Sequence, residues 1–333
     1  MMPARRFFIV GGAGFIGSHF VDRLLSDSAT VQVTVFDTFS SGRMGHIELH
    51  ARDERLRVVR GDVKELEPLT EAMGDHDVVI HLASNPDIAR AVHEPQVDFW
   101  EGTYLTQNVV EAMRRSTPKR ILYASGSGVY GDLGLHEADE DFGPLVPIST
   151  YGASKLAGEA LIASYCHMFG LTARVFRFGN VVGPRQTHGV GYDFVRRLSQ
   201  NPTELEILGD GTQSKSYIHV EDVMSAVLLA HEYAVGTFSA YNVATGDYIT
   251  VREIADLAVE CMNLDPREVT YRFTGGNRGW RGDVPIVRLS TSRIRALGWT
   301  CKRMTREALQ ASILAMMAEV RSEAGPLEKG DRR

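Results

Sequence analysis

A glycine-rich stretch near the N-terminus, VGGAGFIGSH, constrains the fold more than any other part of this sequence. It follows the apolar run RFFIV and opens FIGSHFVDRLL, whose apolar residues recur at helical spacing. The spacing Gly12-x-Gly14-x-x-Gly17, with Gly11 in addition, permits a tight turn, close approach of the backbone to a pyrophosphate, and close helix–strand packing. The stretch therefore predicts a strand–turn–helix unit that binds a dinucleotide pyrophosphate at the helix N-terminus.

Short apolar runs and helical patterns alternate through the first half of the chain. The runs are rich in Val, Ile and Leu without polar alternation, so they predict strands that are buried on both faces. We expect strands within 6–12, 31–37, 56–62, 77–84, 119–126 and 172–183, and helices within 15–27, 66–74, 102–116 and 151–170. This alternation predicts the α/β class, with a Rossmann-like doubly wound parallel sheet and a smaller mixed C-terminal region.

The regular alternation ends near Pro184 and divides the chain. We expect a dinucleotide-binding domain over residues 1–184 and a substrate-binding region over residues 185–322, some of whose segments return to the first domain. Residues 323–333 are charged and lack an apolar face, so they predict a frayed tail. The sequence has no internal repeat and no low-complexity linker, so the two regions should pack as one unit.

Composition and charge exclude several classes of protein. The formal net charge is −6, and phosphate contacts need clustered Lys and Arg, so we expect no binding to nucleic acid. Three widely spaced cysteines predict thiols in a reducing compartment, and no His, Cys or Asp spacing indicates a metal site. Glycines interrupt the N-terminal apolar run at once, and no window offers the roughly 18 apolar residues of a membrane span. We expect a cytoplasmic protein.

Three polar residues give the glycine-rich turn a chemical context. Asp37 ends the second predicted strand, 20 residues after Gly17, where a carboxylate binds the ribose hydroxyls of NAD and repels the extra phosphate of NADP. Tyr151 and Lys155 are four residues apart on a predicted helix and therefore share a face. A nearby ammonium lowers the pKa of a tyrosine toward the working range of a general base. The pair follows a parallel strand, at the edge where ligands of such folds bind.

Several motifs in a fixed order resemble a known family. They are the glycine-rich turn, Asp37, GDV at 61–63, HLAS at 81–84, Tyr151 with Lys155, RFGNVVGPR and GDGTQSKSYIHVEDV. From about Phe7 to about Trp299 the chain resembles extended short-chain dehydrogenases/reductases, and within them the NAD-dependent nucleotide-sugar epimerases and dehydratases, especially UDP-galactose 4-epimerases. In that family the tyrosine removes a proton from a sugar hydroxyl while NAD takes a hydride from the same carbon, and the lysine binds the nicotinamide ribose and tunes the tyrosine.

The resemblance implies NAD as the cofactor and a nucleotide sugar as the substrate. For the cofactor it implies contacts with Gly11, Gly14, Phe15, Ile16, Gly17, Asp37, Ser41, Gly42, Asp62, Val63, Leu82, Ala83, Ser84, Tyr151 and Lys155. For the substrate it implies contacts with Ser125, Ser127, Asn180, Thr187, His188, Lys215, Arg278, Arg281 and Asp283. Among these, Asn180 and Lys215 match positions near the substrate phosphates, and the segment from Arg278 to Asp283 matches one that closes over UDP.

The segment YASGSGVYG at 123–131 bears on which reaction the resemblance implies. Dehydratases of the family carry Asp and Glu there, because elimination of water needs a second acid and base, and decarboxylating relatives carry a glutamate. This chain has Ser125, Gly126, Ser127 and Gly128 instead. Epimerases usually have Ser or Thr at the position of Gly126, so we expect Ser127, or else Ser125, to supply that catalytic hydroxyl. The alternative is that both serines only cap backbone groups of a turn.

We therefore expect 4-epimerisation of a UDP-hexose of the UDP-glucose/UDP-galactose type through a 4-keto intermediate, with Tyr151 as the acid and base. A UDP-glucuronate 4-epimerase stays open, although relatives that act on that substrate tend to have an arginine where Thr187 stands. A one-way nucleotide-sugar oxidoreductase and a non-catalytic NAD sensor also stay open, and the intact Tyr151 and Lys155 argue against the sensor. The resemblance further implies a homodimer that buries the helices within 102–116 and 151–169.

Overall fold

The structure is a computed structural model that describes residues 5–323, and side chains as far as residue 319. Its strands are β1 Arg5–Val10, β2 Thr30–Asp37, β3 Leu56–Arg60, β4 Val78–His81, β5 Arg120–Gly126, β6 Thr172–Phe178, β7 Asn180–Val182, β8 Glu204–Ile207, β9 Ser214–Lys215, β10 Tyr217–His219, β11 Phe238–Val243, β12 Ile249–Thr250 and β13 Thr270–Phe273. Its α-helices are α1 Phe15–Leu25, α2 Leu66–Met73, α3 Tyr104–Arg115, α4 Thr150–Phe169, α5 Val190–Gln200, α6 Val220–Tyr233, α7 Val251–Cys261, α8 Ser292–Ala296 and α9 Thr305–Glu323.

The main sheet of the described chain has seven strands in the order β3-β2-β1-β4-β5-β6-β11, and every neighbouring pair is parallel. The first six strands follow the order of a doubly wound dinucleotide-binding fold, so the predicted fold class is confirmed. Strand β11 comes from the C-terminal half and extends the sheet beyond β6. The strand predicted within 172–183 is in fact two, because after Gly179 the chain leaves the sheet and β7 pairs with β10.

Both faces of most strands of the sheet are covered, which explains the unbroken apolar runs. The prediction that the run within 56–62 is buried was wrong, because β3 is an edge strand and its residues are exposed or half-buried. In β1, Phe7 and Ile9 belong to a core cluster shared with α1 and α6, whereas Phe8 and Val10 belong to a second cluster shared with α2, α3 and α4. All four side chains are buried, so the alternation of a strand between its two faces places every one of them in a core.

The C-terminal region has its own core, formed mainly by α5, α7, α9 and β8. Helix α9 also contacts β10 and β7, and so joins this core to the strand pair that follows β6 in the chain. Within residues 5–323, no helix is long and apolar enough to cross a membrane. The predicted tail over 323–333 lies, beyond Glu323, outside the described residues.

Candidate active site

The turn between β1 and α1 lies where the strand order reverses, because β1 is flanked by β2 and β4. Gly11 has a φ of +84°, and a Cβ there would lie 2.8 Å from the backbone nitrogen of Ala83. A Cβ on Gly17 would lie 2.2 Å from the carbonyl oxygen of Gly11. Both positions therefore require glycine, one for its backbone conformation and both for close packing.

The N-terminus of α1 is available to an anion. Gly14 is its N-cap residue, no side chain caps the helix, and no acidic residue lies in its first turn, which includes the predicted residues Phe15 and Ile16. The amide groups and the dipole of a helix start favour a phosphate at such a place. This turn fits the pyrophosphate of a dinucleotide.

Asp37 is the acidic residue at the end of β2, and it is largely buried beside the same turn. Its carboxylate accepts hydrogen bonds from the backbone nitrogens of Ala13 at 2.9 Å and Phe39 at 2.8 Å. The loop after β2 folds back over α1, where the backbone nitrogen of Arg43 donates to the carbonyl of Ala13 at 3.1 Å. Each carboxylate oxygen retains capacity for a further hydrogen bond, as binding to a ribose requires.

The remaining predicted cofactor residues lie at the same edge of the sheet. The loop after β2 holds Ser41, which is exposed, and Gly42, which is buried against Ala13 and Asp37. The other residues follow the carboxyl ends of β3 and β4, and they are Asp62, Val63, Leu82, Ala83 and Ser84. The amide groups of Leu82 and Ala83 both donate to the carbonyl of Val10, which ties the end of β4 to the start of the glycine-rich turn.

Tyr151 and Lys155 lie in the first two turns of α4, which begins at Thr150 and is capped by Ser149. Lys155 is 4% exposed, and its Nζ donates to the carbonyl of Ala124 at 2.9 Å. The same atom lies 5.5 Å from the ring centroid of Tyr151 and 5.3 Å from that of Tyr123, within the range of a cation–π contact. The structure therefore brings the predicted pair together at the end of β5.

Burial dominates the electrostatics of this pair. It lowers the pKa of Lys155 to about 8, against smaller raising effects of Asp98 and Glu159. Burial also raises the pKa of Tyr151, while a hydrogen bond from Ser84 lowers that pKa and the charge of Asp98 raises it further. The lysine is therefore cationic below about pH 8, and it is this charged form that favours a phenolate.

The two serines of the β5 segment have different surroundings. Ser125 is buried, and its hydroxyl donates to Glu159 at 2.5 Å. Ser127 is partly exposed in a 3₁₀ turn, Ser127–Tyr130, and no hydrogen bond of its hydroxyl is found among the described residues. Of the two candidates for the catalytic hydroxyl, Ser127 is therefore the one whose side chain is available.

The predicted substrate residues fall into two groups. Lys215 on β9 forms an ion pair with Asp283 at 2.6 Å, and Arg278 bonds to the Asp283 carbonyl and forms an ion pair with Asp132 at 2.6 Å. Arg281 lies between Arg278 and Asp283 in the sequence and is exposed.

The second group comes from β7 and the loop that follows it. Asn180 is at the start of that strand, and its side-chain amide donates to the carbonyl of Ser216 at 3.4 Å. Thr187 and His188 lie in the loop that precedes α5, with the Thr187 hydroxyl 3.5 Å from Nδ1 of His188.

Sequence reasoning missed several residues of the site. Asp98 is 2% exposed near the pair, and Asp132 holds Arg278. Glu159 is locked to Arg177 by a buried ion pair at 2.7 Å. None of them belongs to a recognised motif; a charged residue amid apolar neighbours was the available signal for Asp98 and Glu159. Within residues 5–323, no three His, Cys, Asp or Glu side chains are grouped so as to hold a metal ion.

Comparisons with known proteins decide the family. Residues 7–244 match the model of the NAD dependent epimerase/dehydratase family. The chain is 31% identical over 302 residues to a UDP-glucose 4-epimerase of Mycolicibacterium smegmatis, covering 88% of this chain and 93% of that protein. The chain belongs to the NAD-dependent epimerase/dehydratase family.

Two solved structures extend this family relationship to three dimensions. The crystal structure of a UDP-galactose 4-epimerase has a TM-score of 0.84 and 35% identity, over 95% of this chain and 99% of that one. A dTDP-glucose 4,6-dehydratase from Streptomyces venezuelae, crystallised as a double mutant with NAD, has a TM-score of 0.87 and 26% identity, over 96% and 98%. The family thus includes both epimerases and dehydratases, and like its family this protein uses NAD.

Proposed function

We propose that this protein is a 4-epimerase of a UDP-hexose of the UDP-glucose/UDP-galactose type. The observation that carries the proposal is the wall beside Tyr151. Residues 125–128 are Ser-Gly-Ser-Gly and offer no carboxylate, whereas elimination of water requires a second acid and base. The two carboxylates whose charges act on Lys155, Asp98 and Glu159, are both buried and hydrogen-bonded. The 4-epimerases among the relatives support this choice.

In this proposal Tyr151 carries the proton in both directions. As a phenolate, it takes the proton of the C4 hydroxyl, and it returns a proton to the oxygen of the 4-keto sugar after the sugar has rotated. Lys155 stabilises the phenolate through its positive charge. NAD would be held by the glycine-rich turn and Asp37, and would supply a hydride acceptor and donor for C4 of the sugar. Ser127 is the candidate that orients the C4 oxygen toward Tyr151.

The open wall formed by residues 125–128 is compatible with rotation of the sugar. A Cβ on Gly126 would have no atom within 4 Å, and one on Gly128 would make ordinary contacts with Gly152. Gly126 has an extended backbone, so its conformation does not require glycine. The missing side chain therefore leaves open space beside the first turn of α4.

We also propose which residues bind the nucleotide part of the substrate. Lys215 and Arg278 are the cations that we propose to bind the diphosphate of a nucleotide sugar.

We further propose a two-fold homodimer through α3 and α4, which would cover exposed apolar side chains of Met168 and Phe169 on α4 and of Phe99 and Trp100 just before α3. Light scattering coupled to gel filtration should give twice the mass of the chain, and a monomer mass would contradict the dimer.

Proton NMR of the purified protein tests the reaction. The protein, without added NAD, is mixed separately with UDP-glucose, UDP-N-acetylglucosamine and UDP-glucuronate. With UDP-glucose, we expect new anomeric signals, together with an H4 signal that has the small H3–H4 coupling of an axial C4 hydroxyl. If the same signals appear with UDP-glucuronate alone, the substrate is the hexuronate and not the hexose. No change in any sugar, even with NAD supplied, would contradict 4-epimerisation and favour an oxidoreductase or a sensor.

A further inference from the structure

Asp98 is a buried carboxylate whose direct partners are uncharged. It is 2% exposed and directly precedes a π-helical turn, Phe99–Thr103, that leads into α3. Its two oxygens accept hydrogen bonds from the side-chain amide of Asn85 at 2.9 Å and the hydroxyl of Thr150 at 2.7 Å. No ion pair found in the described part of the chain includes Asp98. Its negative charge is therefore solvated by dipoles and is not neutralised by direct contact.

Glu159, the other carboxylate that acts on Lys155, is in the opposite situation. Arg177 donates to both of its oxygens, at 2.7 to 3.3 Å, and the hydroxyl of Ser125 donates to one of them at 2.5 Å. The guanidinium of Arg177 also bonds to the hydroxyl of Tyr130 at 2.9 Å. The charge of Glu159 is therefore balanced by Arg177, which leaves Asp98 as the uncompensated anion.

Lys155 is a buried ammonium, and none of the hydrogen bonds found for it in the described part of the chain is to a carboxylate. Its Nζ donates to a neutral carbonyl, that of Ala124, and it faces the rings of Tyr123 and Tyr151. His81, which also lies near it, is neutral at working pH, since burial lowers its pKa to about 3. A buried cation is costly unless a charge of opposite sign is close.

We propose that Asp98 is the counter-ion of Lys155 and the positioning residue of the Tyr151–Lys155 pair. Its charge keeps the buried lysine an ammonium. Its hydrogen bonds join Thr150, the residue before Tyr151, to Asn85, the residue after Ser84. The catalytic consequence of this role rests on the proposed function, whereas the charge of the lysine does not.

The packing around Asp98 fixes its position relative to α4. A Cβ on Gly102 would lie 2.2 Å from the hydroxyl of Ser154, so the π-helical turn is in close contact with the face of α4 that carries Thr150. Thr103 donates to the same hydroxyl at 3.2 Å. π-Helical turns of this kind occur often at functional sites. Here the turn brings a charge to the start of α4 from a segment 52 residues earlier in the chain.

The proposed role of Asp98 predicts the direction in which the pH profile moves when the charge of Asp98 is removed. Asp98 raises the pKa of Lys155 and also that of Tyr151. Replacing its charge by a neutral amide should lower both pKa values. The phenolate then forms at lower pH, and the ammonium is also lost at lower pH. Both limbs of a profile of kcat/KM against pH should therefore move in the acid direction.

The test compares Asp98→Asn with Thr150→Val in the full-length protein with its cofactor. Asp98→Asn removes the charge and nearly conserves the shape, whereas Thr150→Val removes a hydrogen bond and leaves the charge. We expect both limbs of the Asp98→Asn profile to move down by about one pH unit or more, and those of Thr150→Val by much less. Unmoved limbs in Asp98→Asn, or equal shifts in the two variants, would overturn the proposal.

A second measurement is independent of activity. Nitrogen-15 NMR of the Lys155 side chain, assigned with Lys155→Met, gives the pKa of the lysine directly in each variant. A fall in Asp98→Asn supports the counter-ion role even if the protein proves not to be a 4-epimerase. An unchanged pKa in a folded variant contradicts that role even if 4-epimerisation is established.

Discussion

The cofactor half and the nucleotide-sugar half of the candidate site are built in different ways. In the cofactor half, Gly11 and Gly17 lie in one short stretch of sequence and allow close backbone packing, of Gly17 on Gly11 and of Gly11 on Ala83, at the reversal point of the sheet. In the other half, Lys215 forms an ion pair with Asp283 and Arg278 forms one with Asp132, and these side chains come from three distant segments. We therefore expect the cofactor half to be sensitive to one added methyl group, and the nucleotide-sugar half to the loss of a charge.

The largest effect should come from the residue between the two halves. Tyr151→Phe removes the hydroxyl that moves the proton and leaves the backbone cradle of the cofactor intact. We expect kcat to fall by about 10²- to 10⁴-fold, with bound NAD retained, as measured by the NMR assay and by absorbance of the cofactor released on denaturation.

Tyr165→Phe is the matched control on the same helix. Its hydroxyl bonds to Gln107 at 2.8 Å, away from the ends of the strands, so its activity should be close to that of the wild type. Equal losses in the two variants would remove Tyr151 from the mechanism. Loss of NAD from Tyr151→Phe would instead mean that the tyrosine also holds the cofactor.

Gly17→Ala should break the cofactor half through its backbone. Alanine is intrinsically favoured over glycine in a helix by about 1 kcal/mol, yet here its Cβ would lie 2.2 Å from the carbonyl oxygen of Gly11. We expect a net loss of about 1–3 kcal/mol in the free energy of unfolding and a loss of bound NAD. Chemical denaturation and the cofactor content of the purified protein measure both effects.

Gly45→Ala is the control for Gly17→Ala, since a Cβ there would have no atom within 4 Å. It should keep both stability and NAD. A Gly17→Ala protein that is as stable as the wild type, with its NAD, would show that the turn relaxes and that close packing does not define this half.

The cofactor half was predictable from the sequence because its determinants are local. The spacing of the glycines reports a tight turn and close packing that a Cβ would prevent, and the apolar runs report burial on both faces in every strand up to β6 except the edge strand β3. The predicted order of strands and helices up to α4 was confirmed for that reason. The proximity of Tyr151 and Lys155 was also predictable from local spacing, since a separation of four residues on a helix places two side chains on one face.

The rest of the site depends on contacts that leave no local pattern. Asp98 reaches Thr150 across 52 residues, and Asp132 reaches Arg278 across 146. Strand β11 was missed because the run FSAYNV is short and mixed, and its place beside β6 follows from the sheet and not from its own pattern. The buried bond of Ser125 to Glu159 likewise separates the two serines in a way that spacing did not.

A smaller effect should follow from breaking the ion pair of the nucleotide-sugar half. If Lys215 binds the diphosphate, Lys215→Met should raise KM by about tenfold or more, as expected for losing a charged hydrogen bond, and change kcat little. Asp283→Asn is the control, because it leaves the lysine in place without its internal partner at 2.6 Å, so KM should stay the same or fall. Equal increases in KM for both variants would mean that the pair only holds the loop that carries Arg278.

The smallest effect should come from Gly126→Ser, which contrasts directly with Gly17→Ala. Gly126 has an extended backbone with a φ of −157°, and its Cβ would enter open space, so the free energy of unfolding should change by less than about 0.5 kcal/mol. A serine there would add a hydroxyl beside Tyr151, and we expect kcat to stay within about threefold of the wild type. A severe loss of activity in a stable Gly126→Ser protein would mean that the sugar itself occupies the space. The glycine would then select the substrate and would not be merely tolerated.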